Sequence, residues 1–374
     1  MISSINVTIP PKPAKSYPIV ISSGLLKNAQ EWIAEYCHSG KVVIISDDII
    51  AKMYGELLCD NLQASGYRVE LIIFPSGENS KNIATKTAIE EKMFAFGCDR
   101  HTLCIALGGG VVGDMSGFIA ATYMRGMDFI QVPTSMLAMI DSSVGGKVAV
   151  NSSYGKNNIG AFWQPKAVIM DIDLLKSLPE DQIINGFFEA VKIFLTCDSE
   201  YFEFCESHLD LILALEEKSL IKVLQKAVAL KAMVVEIDEE ERNLRMILNY
   251  GHTIAHALEK LSKYAIMHGF AVGLGMLIEA KVANFLGLLA DTDFIQVSKF
   301  LSRLGIDKTI LESYDNQSII AAMRGDKKNL NQETVLVLLT GIGSVKNIDN
   351  KVAFPVAESV IAEALDYVRT SSLG

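Results

Sequence analysis

Three of the six histidines, His252, His256 and His268, fall within 17 residues. His252 and His256 stand at i and i+4 in a segment of helical periodicity, so both imidazoles would share one face. Imidazole is the commonest ligand for zinc-like metals, and a catalytic site needs three protein ligands and an open position. His268 opens the next segment as His268-Gly269. A carboxylate could also be the third ligand: Glu189, inside FFEAVK, is flanked by apolar residues in a helix-like stretch. One isolated histidine pair is more often two packed helix residues. The third histidine and the lead-in Asn249-Tyr250-Gly251 favour a site.

A second constellation is rich in glycine. Gly108, Gly110 and Gly113 satisfy G-x-G-x-x-G between an apolar run and a helical one. Backbone without side chains lets a pyrophosphate approach N–H groups at a helix N-terminus. The same pattern also serves tight packing. Asp128 lies near the spacing at which a dinucleotide fold wants an acid, but at the start of a strand, so the match to an ordinary unit is poor. A third group sets cations in tight or apolar contexts: Arg125-Gly126, Gly146-Lys147, Gly155-Lys156-Asn157-Asn158, Lys192, Arg245 and Asp326-Lys327-Lys328. Each alone is most simply a solvated charge; converging, they would hold an anion.

The elements that must position these residues fall into two kinds. Lys41–Ser46, Arg68–Phe74 and Thr102–Leu107 read as buried strands, with a helix starting at Asp47-Asp48 and another over Lys81–Phe96. This rhythm indicates an α/β unit, a parallel sheet covered by helices. Beyond Pro179 helical periodicity dominates: Asp181–Leu195, Ser219–Ile237 with Ser219 as N-cap, His252–Leu261 and Phe270–Leu288. We therefore expect a nucleotide-binding domain over 1–178 and a mostly α-helical metal- and substrate-binding domain over 179–374. A ligand would sit in the cleft between them.

Composition narrows the function classes. The chain of 374 residues is 50% hydrophobic and 21% charged, as expected of a globular protein and not of a disordered one. A net charge of −10 argues against nucleic acid or an anionic membrane as main partner. The six cysteines form no C-x-x-C pair and read as reduced thiols of a cytoplasmic protein. MISSINVTIPPKP lacks the pattern of a signal peptide. Glu279, Lys281 and Asn284 interrupt the apolar stretch from Phe270 to Ala290, so it reads as a buried helix.

Long ordered segments carry a family resemblance. GGGVVGDMSGFIAATYMRGMDFIQVPTSMLAMIDSSVGGKVAVN, its continuation through GKNNIGAFWQP, and LKAMVVEIDEEERNLRMILNYGHTIAHALE resemble the 3-dehydroquinate synthase family. So do His268-Gly269 and Asp326-Lys327-Lys328, and the likeness spans about residues 40 to 345. It implies NAD in the N-terminal domain. Asp47 would hold the adenosine ribose, with Glu78 and Lys81 near the nucleotide. Gly109, Gly110, Val111 and Gly113 would line the pyrophosphate beside Asp114. Thr134, Ser135 and Asp141 would complete the nicotinamide side, and Lys147, Lys156 and Ser177 would also belong to the cofactor site.

The resemblance further implies zinc or cobalt on Glu189, His252 and His268, and makes His256 a catalytic histidine near the phosphate instead of a ligand. Lys147, Asn157, Lys192, Lys231, Arg245, Asn249, Lys327 and Lys328 would bind the carboxylate, hydroxyls and phosphate of a phosphorylated sugar acid. Arg125 would reach the phosphate, in the neighbouring subunit of a homodimer. The implied chemistry is transient oxidation by NAD, phosphate elimination, return of the hydride and aldol closure of a carbocycle.

Three departures stand out. Phe270 replaces the acid that the family usually has after His-Gly, Val148-Ala149-Val150-Asn151 follows Lys147, and Asn243 stands where glycine is common. They point to a divergent member. The rival functions are a related cyclase acting on a hexose or heptulose phosphate, a metal-dependent polyol dehydrogenase, whose metal carboxylate is normally aspartate, and a descendant that only binds ligand.

Overall fold

The computed structural model describes residues 4–8, 14–324 and 334–371. Its N-terminal part is built on six parallel strands in the order β1-β8-β5-β4-β2-β3: β1 (Ile19–Ser22), β2 (Lys41–Asp47), β3 (Arg68–Phe74), β4 (Leu103–Gly108), β5 (Phe129–Pro133) and β8 (Ala167–Asp171). The central strands read as near-continuous apolar runs because both faces are covered. Leu58 and Leu62 from α3 (Glu56–Ala64) join Ile33 from α1 (Ala29–Tyr36) against one face. Ile89 and Met93 from α4 (Ile83–Phe96) and Met115 and Ile119 from α5 (Gly110–Thr122) cover the other. Asp47, as expected, starts a helix: its carboxylate caps the short turn α2 (Asp48–Ile50) by accepting from Ile49 and Ile50 N–H at 3.0 and 2.9 Å. An antiparallel ribbon, β6 (Lys147–Ser152) with β7 (Gly155–Phe162), lies on α5.

Helices then take over: α6 (Glu180–Cys197), α7 (Ser199–Leu213), α8 (Glu217–Ile237), α9 (His252–Leu261), α10 (His268–Phe285), α11 (Asp291–Arg303), α12 (Asn316–Arg324) and α13 (Glu358–Thr370). Short strands interrupt this mostly helical part: β9 (Val335–Val337) pairs β12 (Ala353–Pro355), and β10 (Leu339–Gly341) pairs β11 (Ser344–Val345). Two helix starts differ from the sequence expectation. Glu216 caps α8 by accepting from the Ser219 N–H at 2.7 Å, so Ser219 lies inside the first turn. The helix expected from Phe270 begins two residues earlier, which makes His268 its first residue.

One apolar core runs from the sheet into the helices. Val168 and Met170 of β8, and Met136, Met139 and Ile140 after β5, pack in the same cluster as Phe187, Ile254 and Leu274. The C-terminal edge of the sheet therefore faces the helical half directly. No helix among the described residues is long and apolar enough to cross a membrane.

Candidate active site

The buried face of α6 carries Glu189 and Lys192, both almost wholly shielded from solvent. An ionised pair this deep is costly unless each charge is matched, and the Lys192 ammonium donates to Glu189 Oε2. The other oxygen, Oε1, accepts no hydrogen bond. It lies 3.6 Å from His252 Nε2 and 3.4 Å from His268 Nε2. Glu189, His252 and His268 each offer a ligand atom within 4.8 Å of the others.

Each histidine is aimed by its outer nitrogen. His252 Nδ1 lies 3.2 Å from the Tyr250 carbonyl. His268 Nδ1 faces Glu259 Oε2 at 3.5 Å. The start of α10 is seated on α6: the Gly269 N–H donates to Asn185 Oδ1 at 2.7 Å, one turn before Glu189. A Cβ at Gly269 would fall 1.8 Å from the Asn185 carbonyl oxygen, so only glycine allows this approach. Burial opposes ionisation of Glu189, but Lys192 and His268 overcome it and hold the carboxyl well below its usual range. Burial likewise disfavours His268 as a cation, yet Glu189 and Glu259 push it up to about 10. An orphaned carboxylate oxygen facing two imidazole nitrogens fits a divalent cation. His256, one turn after His252, stands outside this trio, its ring 5.6 Å from that of His252 and 6.5 Å from that of His268.

Cations gather beside the trio. Lys231, buried on α8, donates to the Asp141 carboxylate and, at 2.5 Å, to the Asp141 carbonyl. Burial alone would raise the Asp141 carboxyl; Lys231 outweighs it and brings it down to about 2. Burial lowers Lys231 in turn, against the pull of Asp141. Arg245 donates to the Glu239 carbonyl at 2.5 Å and to the Gly145 carbonyl at 3.3 Å. Gly145 has φ +99°, and a Cβ there would meet the guanidinium at 2.4 Å. Lys147 and Asn249 both donate to Glu241, Asn249 at 2.7 Å. One anion can thus be held by both.

The nucleotide side lies at the C-terminal edge of the sheet. Gly108 ends β4, Gly109 caps α5, and Gly110, Val111 and Gly113 form its first turn. Gly113 sits so close to β5 that a Cβ would lie 2.7 Å from Gln131 Oε1. Thr134 N–H donates to the Gly108 carbonyl at 3.0 Å, and Ser135 Oγ would be 3.6 Å from a Cβ on Gly109. Lys81 donates to Asp114 and to Asn157, each at 2.5 Å. Burial raises the Asp114 carboxyl and Lys81 opposes it. Asn151 donates to Glu78 at 2.6 Å and accepts from the Asn157 N–H at 2.9 Å, which ties the ribbon to the turn after β3. Across the sheet, Tyr54 OH donates to Ser177 Oγ at 2.7 Å.

Family models for the 3-dehydroquinate synthase N-terminal and C-terminal domains match residues 71–185 and 186–329. A protein of Thermodesulfovibrio yellowstonii named 3-dehydroquinate synthase is 41% identical over 333 residues, covering 89% of this chain and 93% of its own. The chain belongs to the 3-dehydroquinate synthase family. Among solved structures it is similar to 2-deoxy-scyllo-inosose synthase complexed with carbaglucose-6-phosphate, NAD+ and Co2+, with TM-score 0.84, 29% identity, and 94% and 96% of the two chains covered. It is also similar to 2-epi-5-epi-valiolone synthase from Streptomyces hygroscopicus subsp. jinggangensis 5008 with NAD+ and Zn2+ bound, with TM-score 0.85, 25% identity, and 96% and 99% covered.

Within this chain, Arg125 is not brought to the site. Arg125 lies beyond the far end of α5, about 20 Å of helix from the glycine-rich turn, exposed and with no ion pair among the described residues. Met124, Arg125 and Gly126 all have positive φ, a bend that turns Arg125 outward. Lys327 and Lys328 lie outside the described residues. Asp128 pairs with Lys166 at 3.5 Å, at the opposite edge of the sheet from the nucleotide side. Sequence reasoning missed Glu259, Glu241, Asn151 and Asn185. Glu259 offered one signal: it lies seven residues after His252, on the same face of α9.

Proposed function

We propose that this protein is a 3-dehydroquinate synthase, converting 3-deoxy-D-arabino-heptulosonate 7-phosphate to 3-dehydroquinate and phosphate. One observation carries the reading: Lys192 pairs with Glu189 of the Glu189–His252–His268 trio, and Lys231 and Arg245 share with Glu189 the field of Asp141, a set of buried cations suited to a substrate with both carboxylate and phosphate. The half-buried glycine-rich turn at the start of α5 fits NAD, and the trio fits zinc or cobalt. When bound, NAD supplies a hydride acceptor and donor, and the metal supplies Lewis acidity at the reacting oxygens.

The chain's own residues do the remaining work. Glu189 keeps one oxygen for the metal because Lys192 occupies the other. Asp141 fixes the Lys231 ammonium, so this cation is held in place before substrate arrives. Lys147 and Asn249 hold an anion together, as they do the Glu241 carboxylate. Restraining both ends of a flexible intermediate favours ring closure by removing rotational freedom. His256, beside the metal trio, is our candidate for moving a proton between substrate and departing phosphate. The domain division near residue 178, a homodimer and the arrival of Arg125 from a neighbouring subunit belong to the same proposal.

A carboxylate-free sugar phosphate is the second reading, favoured by likeness to 2-deoxy-scyllo-inosose synthase. The Phe270 departure adds little to it, because Phe270 packs edge-on against Phe188 at 5.2 Å and leaves the set of buried cations unchanged. Competition of the heptulosonate phosphate with glucose 6-phosphate and with sedoheptulose 7-phosphate separates the two. Turnover of the acid alone is expected; preference for either carboxylate-free sugar phosphate would overturn the assignment.

A further inference from the structure

Position 270, next to His268-Gly269, offers no carboxylate: Phe270 packs against the apolar core and Phe188. A metal-binding imidazole still needs an acceptor on its outer nitrogen to fix its tautomer and orientation. The structure supplies one from another helix. Glu259, near the end of α9, is buried, and its Oε2 lies 3.5 Å from His268 Nδ1. Its other oxygen lies 3.6 Å from the Lys156 ammonium of β7, which also sits 4.0 Å above the Tyr264 ring. The backbone holds the arrangement: the Tyr264 N–H donates to the Glu259 carbonyl at 2.7 Å, in a turn where Lys263 and Tyr264 both have positive φ.

We propose that Glu259 is the positioning residue of the metal centre, keeping the proton of His268 on Nδ1 so that Nε2 points at the metal, with Lys156 anchoring the carboxylate from the nucleotide side. Glu259 is a buried carboxylate between two basic groups from different parts of the chain, and removing either would leave a costly uncompensated charge. The inference rests on the metal reading of Glu189, His252 and His268, and the two can fail separately.

The test is zinc affinity of the full-length protein, measured without substrate by competition with a chromophoric chelator. The parent protein tests the metal reading: no zinc bound, or zinc bound equally well by H268A, would sink that reading itself. Given binding, E259Q is expected to weaken zinc by about ten- to hundredfold, with E259D recovering part of the loss. E259Q binding zinc as tightly as the parent would overturn the proposal. Should E259Q not fold, nitrogen NMR of ring-labelled histidine in the zinc-loaded parent decides. His268 protonated on Nδ1 and coordinated through Nε2 is expected; coordination through Nδ1 contradicts it.

Discussion

Glu189 Oε1 lies 3.4 Å from His268 Nε2 and receives no hydrogen bond, although the carboxylate is fully buried. One carboxylate oxygen facing two imidazole nitrogens is a ligand set that a divalent cation completes. Glu189→Gln is therefore expected to lose zinc or cobalt and to lower turnover by more than the about hundredfold that even an outer partner of a metal ligand can cost. Metal content by atomic absorption, together with turnover, checks this. A variant with full metal content and full activity would remove Glu189 from the centre.

Lys192 is the counter-charge that lets Glu189 stay ionised inside the protein. Replacing it by methionine leaves a buried carboxylate unmatched, a change that costs about 3–5 kcal/mol when one partner of a buried pair is removed. The metal-free Lys192→Met protein should melt well below the parent. Added zinc should restore part of the difference, because the cation takes over the neutralisation. Thermal melts with and without zinc measure both effects.

The pair of Asp141 and Lys231 gives a pH dependence with a definite sign. Asp141 falls from an ordinary 3.8 to about 2 in the folded protein, so the unfolded chain binds its proton more readily. The stability it contributes is complete above 3.8 and is lost as pH falls towards about 2. Acid titration of the parent should show this loss in that window. In Asp141→Asn the contribution should vanish while the rest of the acid profile remains.

Phe270 tests whether the missing acid matters. Its ring packs on Phe188, so Phe270→Glu should bury a carboxylate at an apolar contact and cost about 1–3 kcal/mol. Zinc affinity should stay where it was, because Glu259 already faces His268. Chelator competition and a melting curve read the two separately. A marked gain in zinc affinity would show that position 270 reaches the metal centre after all.

The legible parts of this protein were those where local pattern and tertiary role coincide. Arg68–Phe74 and His252–Leu261 have the bounds that their periodicity predicts, because strand and helix each bury a regular face. The glycine-rich turn was legible because tight approach to β5 and to a ligand both demand the same residues. Spacing alone paired His252 with His256, since adjacent turns of one helix are all that sequence distance can show. Glu189 and His268 reach His252 only through the seating of α10 on α6 at Gly269, a contact 84 residues apart. Glu241 was missed for the same reason, since it meets Lys147 and Asn249 across elements; Glu259 offered only its place on the face of α9 that carries His252, which does not say that it meets His268.

The central claim is best tested by turnover with less NAD+ than substrate. Zinc- or cobalt-loaded protein would be given 3-deoxy-D-arabino-heptulosonate 7-phosphate, and phosphate, product mass and NADH absorbance followed together. We expect phosphate released in equal amount to 3-dehydroquinate, many turnovers per NAD+, and no net NADH. NADH accumulating in step with product, or no phosphate released while metal and NAD are both shown to be bound, would contradict the account.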